Sequence, residues 1–308
     1  MKAIRIHLPT GVDGLVFEDV PDATPMACDV LIKVAAVGIT HNELDWPLWT
    51  CRAGHRRSSI IPGHEVSGVV AGLGYGTAGF AVGDEVFGLA DQFRDGAAAE
   101  YVAVEARNVA RKPATVDHVH AAAVPRAGLT AWQALFDHGK LAGGQTVVIH
   151  GAGGVVGSMA VQLARWAGAT VIGTGRSRVR PLVSELGANR FIALDDDPAA
   201  LDAVAGQADL VFDTIGGEVL ARSPGLLRPG GTLVVIKADA SRPAGRDDIA
   251  TVVFIQESSR GQLAELARLV DQGHLRPQVG PVYALEEAAA GYRAKAAGGV
   301  AGRVILRP

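Results

Sequence analysis

The sequence predicts an α/β chain of two domains, one β-rich and barrel-like, the other a doubly wound parallel sheet. Three observations lead there. Short apolar runs broken by glycine occupy the stretch from Val30 to Val104. Between Thr146 and Ile236, compact apolar strands alternate with stretches of helical periodicity. After one amphipathic helix a strand-like run, Arg303-Val304-Ile305-Leu306, resumes the β-rich part.

Each element has its own signal. Val30-Leu31-Ile32-Lys33-Val34, 66–70, Asp84-Glu85-Val86-Phe87-Gly88 and Tyr101-Val102-Ala103-Val104 are short β runs with turn residues between them. Strands follow at 146–150, 170–174, 191–194, 210–213 and 232–236, with helical spacing at 159–166 and 179–186. Strands that alternate with helices require crossover connections and a parallel sheet. At 261–272, Leu263, Leu266, Leu269 and Val270 form one stripe of a helix. The boundaries implied are 1–116 with 256–308 for the β-rich domain and 117–255 for the sheet domain. A ligand is expected in the cleft between them.

The bulk properties exclude several classes. Of 308 residues, 48% are hydrophobic and 20% charged, which suits a globular chain with a core. A net charge of -3 and the absence of a Lys/Arg run argue against a nucleic-acid partner. The opening Met1-Lys2-Ala3-Ile4-Arg5-Ile6-His7 alternates charged and apolar side chains, unlike a signal peptide. No uncharged apolar window of about 18 residues is present, so no membrane span is expected. Cys28 and Cys51 are too few for a disulfide framework, and a reducing, cytoplasmic setting is the expectation.

The strongest chemical signal is Thr146-Val147-Val148-Ile149-His150-Gly151-Ala152-Gly153-Gly154-Val155-Val156-Gly157-Ser158. An apolar strand runs into glycines and then into a helix. Gly151, Gly154 and Gly157, three apart, allow a tight turn, backbone approach to a pyrophosphate and close helix–strand packing. The helix N-terminus then offers free N–H groups and a positive dipole end to the phosphates. The next strand ends Thr174-Gly175-Arg176-Ser177-Arg178, without the acidic residue that holds a ribose 2′-hydroxyl in NAD sites. Arginines and a hydroxyl there suit a 2′-phosphate, so NADPH is the expected cofactor.

Other segments extend the pattern. Gly63-His64-Glu65-Val66-Ser67-Gly68 with Gly74, Val82-Gly83-Asp84-Glu85-Val86, Ala127-Gly128-Leu129-Thr130-Ala131-Trp132, Asp213-Thr214-Ile215-Gly216-Gly217 and Leu227-Arg228-Pro229-Gly230-Gly231 occur in that order. Together with the glycine turn they resemble the medium-chain dehydrogenase/reductase superfamily over nearly the whole chain, nearest to its NADPH-dependent, zinc-free quinone oxidoreductases. The resemblance implies a GroES-like catalytic domain, a Rossmann domain and hydride transfer at the cleft. Val155 departs from it, standing where the family has glycine.

Against the zinc alcohol dehydrogenases of the superfamily, Gly38-Ile39-Thr40-His41 puts Thr40 in the place of one ligand cysteine. Ala123-Val124-Pro125-Arg126-Ala127-Gly128 puts Arg126 in the place of the other. One imidazole and one carboxylate, His64 and Glu65, do not make a catalytic zinc site, and an arginine repels a cation. An improvised set of Cys51, His55 and His64 lacks a fourth ligand. No metal is expected, and His64 reads as a remnant that hydrogen-bonds a turn.

Without a Lewis acid, reduction of an electrophilic acceptor is the easier chemistry. A quinone or an α,β-unsaturated carbonyl is the expected substrate. Asn42-Glu43-Leu44-Asp45-Trp46 resembles a segment near the nicotinamide in the quinone oxidoreductases, which implies catalytic roles for Asn42, as an oxyanion donor, and Asp45, which also reads as a cap or turn residue. Trp46 and Trp49 read either as walls for a planar acceptor or as ordinary packing. On the cofactor side, the resemblance assigns Thr130, Gly151, Gly153, Gly154, Val155, Val156, Gly157, Thr174, Gly175, Arg176, Ser177, Arg178, Thr214, Ile215, Ile236, Phe254 and Arg303. Arg303 reads equally as a surface charge. The loop 47–61, with Arg52, His55, Arg56 and Arg57, suits either an anionic, carrier-bound substrate or a solvated face. An enoyl reductase of a polyketide-like pathway and a non-catalytic NADPH sensor are the alternatives. Relatives pair their sheets edge to edge, so the apolar Thr251-Val252-Val253-Phe254-Ile255 run implies a homodimer.

Overall fold

The computed structural model describes residues 1–40, 42–46, 48–51, 53–236 and 246–308. Strands run in chain order β1 (Lys2–Ile6), β2 (Leu15–Asp19), β3 (Asp29–Ile39), β4 (Glu65–Leu73), β5 (Glu85–Leu89), β6 (Tyr101–Glu105), β7 (Val109–Arg111), β8 (Thr146–His150), β9 (Thr170–Gly175), β10 (Arg190–Ala193), β11 (Ala208–Asp213), β12 (Leu227–Val235), β13 (Ala250–Val253), β14 (Val279–Ala284) and β15 (Arg303–Arg307). The helices are α1 (His118–Ala121), α2 (Pro125–Trp132), α3 (Val155–Trp166), α4 (Arg180–Glu185), α5 (Gly217–Leu226), α6 (Arg260–Asp271) and α7 (Ala288–Ala297). The chain divides into two compact units, Met1–Arg126 with Ser258–Gln272 and Pro277–Pro308, and Ala127–Glu257 with Gly273–Arg276.

The first unit is the GroES-like one. Its main sheet has the order β14-β15-β3-β4-β5-β7, with β6 also paired to β3 and a separate β1-β2 hairpin. β3 is 11 residues long, and its length lets it hold several partners. It pairs with β4 along most of its course, with β6 from Asp29 to Lys33 and with β15 from Val37 to Ile39. Val30, Ile32, Val66, Val70, Val86, Val102 and Val104 line one core. β-branched side chains fit such a pleated, buried surface.

The second unit is the Rossmann-type one. Its six strands are parallel in the order β10-β9-β8-β11-β12-β13. Strands covered on both faces read as continuous apolar runs, as Val147, Val148 and Ile149 do. The strand order reverses between β8 and β11, and a ligand crevice in such a sheet lies outside the carboxyl ends at that reversal. Helix α2 leads into a π-helical turn, Gln133–His138.

Three differences from the sequence reading stand out. The strand expected from 232 begins already at Leu227, and its 227–231 start is irregular, with a register shift against β11 between Ala208 and Leu210 and Gly230 at a φ of 78°. The outermost strand β13 stops at Val253 instead of 255. The hairpin β1-β2, strand β14 and helix α7 have no counterpart in that reading.

Candidate active site

In the second unit, the glycine turn joins β8 to α3 at the strand-order reversal. Gly151 adopts a φ of 74°, and a Cβ there would lie 2.3 Å from Thr214 Oγ1. At Gly157 a Cβ would fall 2.1 Å from the Gly151 carbonyl oxygen, so only glycine lets the first turn of α3 close onto the strand end. Gly154 caps α3 without a side-chain bond, leaving the N–H groups of Val155, Val156 and Gly157 at the open first turn. These groups fit a pyrophosphate.

The structure gathers most of the sequence-assigned set around this turn. Thr214 Oγ1 donates to the His150 carbonyl at 2.7 Å, linking the ends of β11 and β8, and Ile215 lies against the Gly151 position. Ala152 N–H donates to Thr174 O, and Gly153 faces Val179. Gly175 ends β9, and Arg176 and Arg178 are exposed just beyond it. Ile236 follows β12, its N–H directed to Asp213 O at 3.4 Å, and Phe254 stacks on His138 with ring centroids 4.5 Å apart. Thr130 is buried within α2.

Asp195 was missed. Its carboxylate accepts the Ser177 N–H at 2.6 Å and the Ser177 hydroxyl at 3.1 Å, and these bonds hold it below the usual carboxylate range. It comes from the end of β10, so a search of the β9 turn alone overlooks it. Arg180 is drawn to Asp196 at 3.7 Å and over the Phe191 ring.

Under the turn, His150 is buried, its Nδ1 sharing a hydrogen bond with Thr174 Oγ1 at 2.8 Å. Burial pushes its pKa down to about 4, against a partial lift from Asp213. Asp213 accepts the N–H groups of Ile215 and Gly216, both at 2.7 Å.

The first unit holds a second cluster. Glu65 is fully buried; its Oε1 accepts from Arg303 Nη2 at 2.8 Å and from the Thr40 hydroxyl at 2.9 Å. Arg303 also donates to the Ile39 carbonyl at 3.1 Å, so it is a buried partner and not a surface charge. Glu43, also fully buried, accepts the Tyr292 hydroxyl. Its other oxygen stands 3.8 Å from His64 Nδ1. Burial, then Glu43, push the Tyr292 phenol well up. Burial, then repulsion from Arg303, bring the Lys295 ammonium down to about 8. Neither ring nitrogen of His64 has a hydrogen-bond partner among the described residues, so the turn-bonding role read for it is wrong. Trp46 lies beside this group, 5.8 Å from the His64 ring, with the Arg126 guanidinium 4.6 Å over its own ring.

Asn42 sits in the left-handed region at a φ of 56° and is exposed, as is Asp45 at the end of a single helical turn. Trp46 and Trp49 both pack against Ile6, Leu48 and Ile60. Arg57 is bound to Leu48 O, Arg94 O and Asp95, which makes it a loop staple, while His55 and Arg56 are exposed. His41, Pro47 and Arg52 lie outside the described residues. Neither Glu43 nor Tyr292 was assigned a role from sequence; an acid inside an otherwise polar turn gives no sign that it is buried.

Residues 27–114 match the alcohol dehydrogenase GroES-like domain family and residues 186–306 the zinc-binding dehydrogenase family. A probable zinc-binding oxidoreductase, mitochondrial, of Arthroderma benhamiae is 33% identical over 275 residues, 83% of this chain and 81% of that protein. The chain belongs to the medium-chain dehydrogenase/reductase superfamily. It is an oxidoreductase. The 2-methylene-furan-3-one reductase of Solanum lycopersicum is 29% identical over 290 residues, 91% of this chain and 71% of that protein. The quinone oxidoreductase from Coxiella burnetii superposes with a TM-score of 0.89 at 27% identity, covering 100% of this chain and 99% of the other.

Two of those names mention zinc, and the residues here do not fit it. A zinc site of this family needs thiolates, and its cysteine positions carry a hydroxyl and a guanidinium, Thr40 and Arg126. Glu65, the nearest carboxylate in sequence to His64, is engaged by Arg303 and Thr40. Among the described residues no group of three His, Cys, Asp or Glu is arranged to hold a metal.

The buried His150 makes the fold acid-sensitive in a defined window. Its folded pKa lies below the ordinary 6.5, so between pH 6.5 and about 4 the unfolded chain binds the extra proton and stability falls with pH. The expected loss is on the order of 3 kcal/mol across that window. Melting temperatures measured from pH 7 to 4 should show a shallower slope for His150→Gln than for the unmodified protein; equal slopes would assign the effect to other groups.

Proposed function

We propose that the protein is a metal-independent reductase that uses NADPH to deliver hydride to a quinone or an α,β-unsaturated carbonyl. The observation that carries this reading is the bonded group of Thr40, Glu65 and Arg303 with Arg126 within the field of Glu65, Thr40 and Arg126 standing at the positions that the resemblance matches to zinc-ligand cysteines. Alcohol oxidation leans on a metal to lower the hydroxyl pKa, whereas a conjugated acceptor is already electrophilic. The reductase and quinone oxidoreductase named among its relatives support the same acceptor class.

The proposed dinucleotide site is the turn Gly151–Gly157 with Thr214 and Ile215; Thr130, Ile236 and Phe254 are assigned to its nicotinamide side. Bound there, the nicotinamide supplies hydride. The residues of the chain hold and orient. The first turn of α3 takes the pyrophosphate. Arg176 and Arg178 take the 2′-phosphate, as exposed guanidinium groups beside the ribose position of such folds. Asp195, bonded to Ser177, adds a negative charge that weakens this preference. Asn42 and Trp46 are assigned to the acceptor side, Asn42 as an oxygen donor and Trp46, with Trp49 behind it, as a flat wall. Asp45 is exposed and is proposed as a turn residue.

The proposal extends to assembly and setting. β13 is the outer strand of its sheet, with Val253 exposed at its end and Ile255 exposed two residues beyond, so a homodimer joined through that edge is proposed. Cys28 and Cys51 are free thiols, in keeping with a cytoplasmic setting. No helix among the described residues is long and apolar enough to cross a membrane.

Three outcomes test this. Reduced dinucleotide oxidation should be fast and chelator-insensitive with quinones or simple enones, and absent for saturated alcohols with NADP⁺; an enoyl thioester as the only good acceptor would move the assignment to a biosynthetic enoyl reductase. Arg176→Ala and Arg178→Ala should each raise KM for NADPH about 10-fold or more and leave NADH nearly unchanged; equal effects would reject the 2′-phosphate role. Ile255→Glu should convert a dimer to a monomer in sedimentation, and an unchanged mass would place the interface elsewhere.

A further inference from the structure

Resting on the dinucleotide reading above, we propose that Asp195 is a resident anion. Its carboxylate occupies the donors that a 2′-phosphate would use, and so decides how far the protein prefers NADPH to NADH.

Sheet register delivers Asp195 to that place, wholly within the second unit. β10 pairs with β9 in parallel from Arg190↔Ile172 to Ala193↔Gly175, and the Leu194 N–H continues the ladder to Gly175 O at 2.9 Å. Asp195 and Ser177 follow at the same offset of 18 residues, so strand pairing, not loop length, sets their contact. Ser177 gives both its donors to the one carboxylate, the N–H at 2.6 Å and the hydroxyl at 3.1 Å. Two donors converging on one anion make a small anion seat, and here the chain fills it itself. Those bonds, led by the backbone one, hold Asp195 below the usual carboxylate range, so it is ionised at working pH. Its neighbour Asp196 draws on a further cation, Arg180, at 3.7 Å, and that guanidinium also lies over the Phe191 ring.

The two cofactors make different demands on this carboxylate. Asp195 can accept a ribose 2′-hydroxyl and keep Ser177, because its two oxygens offer several lone pairs. A phosphate monoester carries roughly two negative charges at neutral pH and needs donors. Ser177 can turn its N–H and hydroxyl to such a group only after releasing Asp195, which then stands beside it as a like charge. Asp195 therefore opposes Arg176 and Arg178, the exposed guanidinium groups assigned to the same phosphate.

Calorimetric titration of the full chain with adenosine 2′,5′-bisphosphate and adenosine 5′-monophosphate isolates the 2′-group without any turnover. In the unmodified protein the bisphosphate should bind no more than about 10-fold tighter than the monophosphate; an advantage of about 100-fold or more would overturn the proposal. Asp195→Ala should tighten the bisphosphate about 10-fold and leave the monophosphate within about 3-fold. Asp195→Asn, which loses the charge but keeps an acceptor for Ser177, should gain less. Combined with Ser177→Ala, which lacks the hydroxyl, the gain from Asp195→Ala should shrink at least about 3-fold. Parallel changes for both nucleotides would make Asp195 a residue that merely fixes the turn. An equal gain with and without the Ser177 hydroxyl would make it a remote charge, and either result overturns the proposal. Both side chains reach the surface, and the monophosphate reports whether each variant keeps its site intact. If the unmodified protein bound neither nucleotide, the dinucleotide reading itself would fall, and the role of Asp195 with it.

Discussion

The ion pair between Arg303 and Glu65 joins two charges that water scarcely reaches, and each would be costly to bury alone. Keeping them together dictates much of the first unit. β15 must lie beside β3 for Arg303 to reach both Glu65 and the Ile39 carbonyl. Thr40, just past the end of β3, must turn its hydroxyl to the same carboxylate oxygen. The segment that follows carries Glu43 and Trp46, and the contact of Glu43 with Tyr292 ties it to α7. A single buried charge pair thereby coordinates β3, β4, β15 and the segment that carries Glu43 and Trp46.

The second unit handles charge in the opposite manner. Its buried histidine is kept neutral, and Asp213 is satisfied by two backbone N–H groups. The glycine turn likewise holds no cationic side chain, so the positive potential at its mouth comes from backbone N–H groups and the α3 dipole. Just beyond β9, the exposed Arg176 acts on the Asp195 carboxylate through charge.

Much of this was legible in the sequence for a physical reason. Strands buried on both faces must be apolar throughout, so β8 was bounded to the residue and β9 to within one. Helix α6 was legible because Leu263, Leu266, Leu269 and Val270 make one stripe. Helix α7 was not, since its Ala288-Ala289-Ala290-Gly291-Tyr292 start has little contrast between faces. The candidate site divides the same way. Glycine positions are local constraints and could be read directly, whereas Asp195 meets Ser177 across 18 residues and Tyr292 meets Glu43 across 249. Long-range pairings of this kind leave no periodic trace in the chain.

The central place of β15 has a consequence for biosynthesis. Residues 37–39 of β3 emerge from the ribosome early, but their partners, residues 304–306, follow only after every strand of the second unit has been made. β4 can pair with one side of that stretch, but the side meant for β15 stays open throughout, a bare edge exposed to strands of neighbouring chains. The parallel sheet needs nothing from beyond residue 276 to complete its own unit, so translation favours an order in which the inserted unit sets first and the flanking one closes around its late strand.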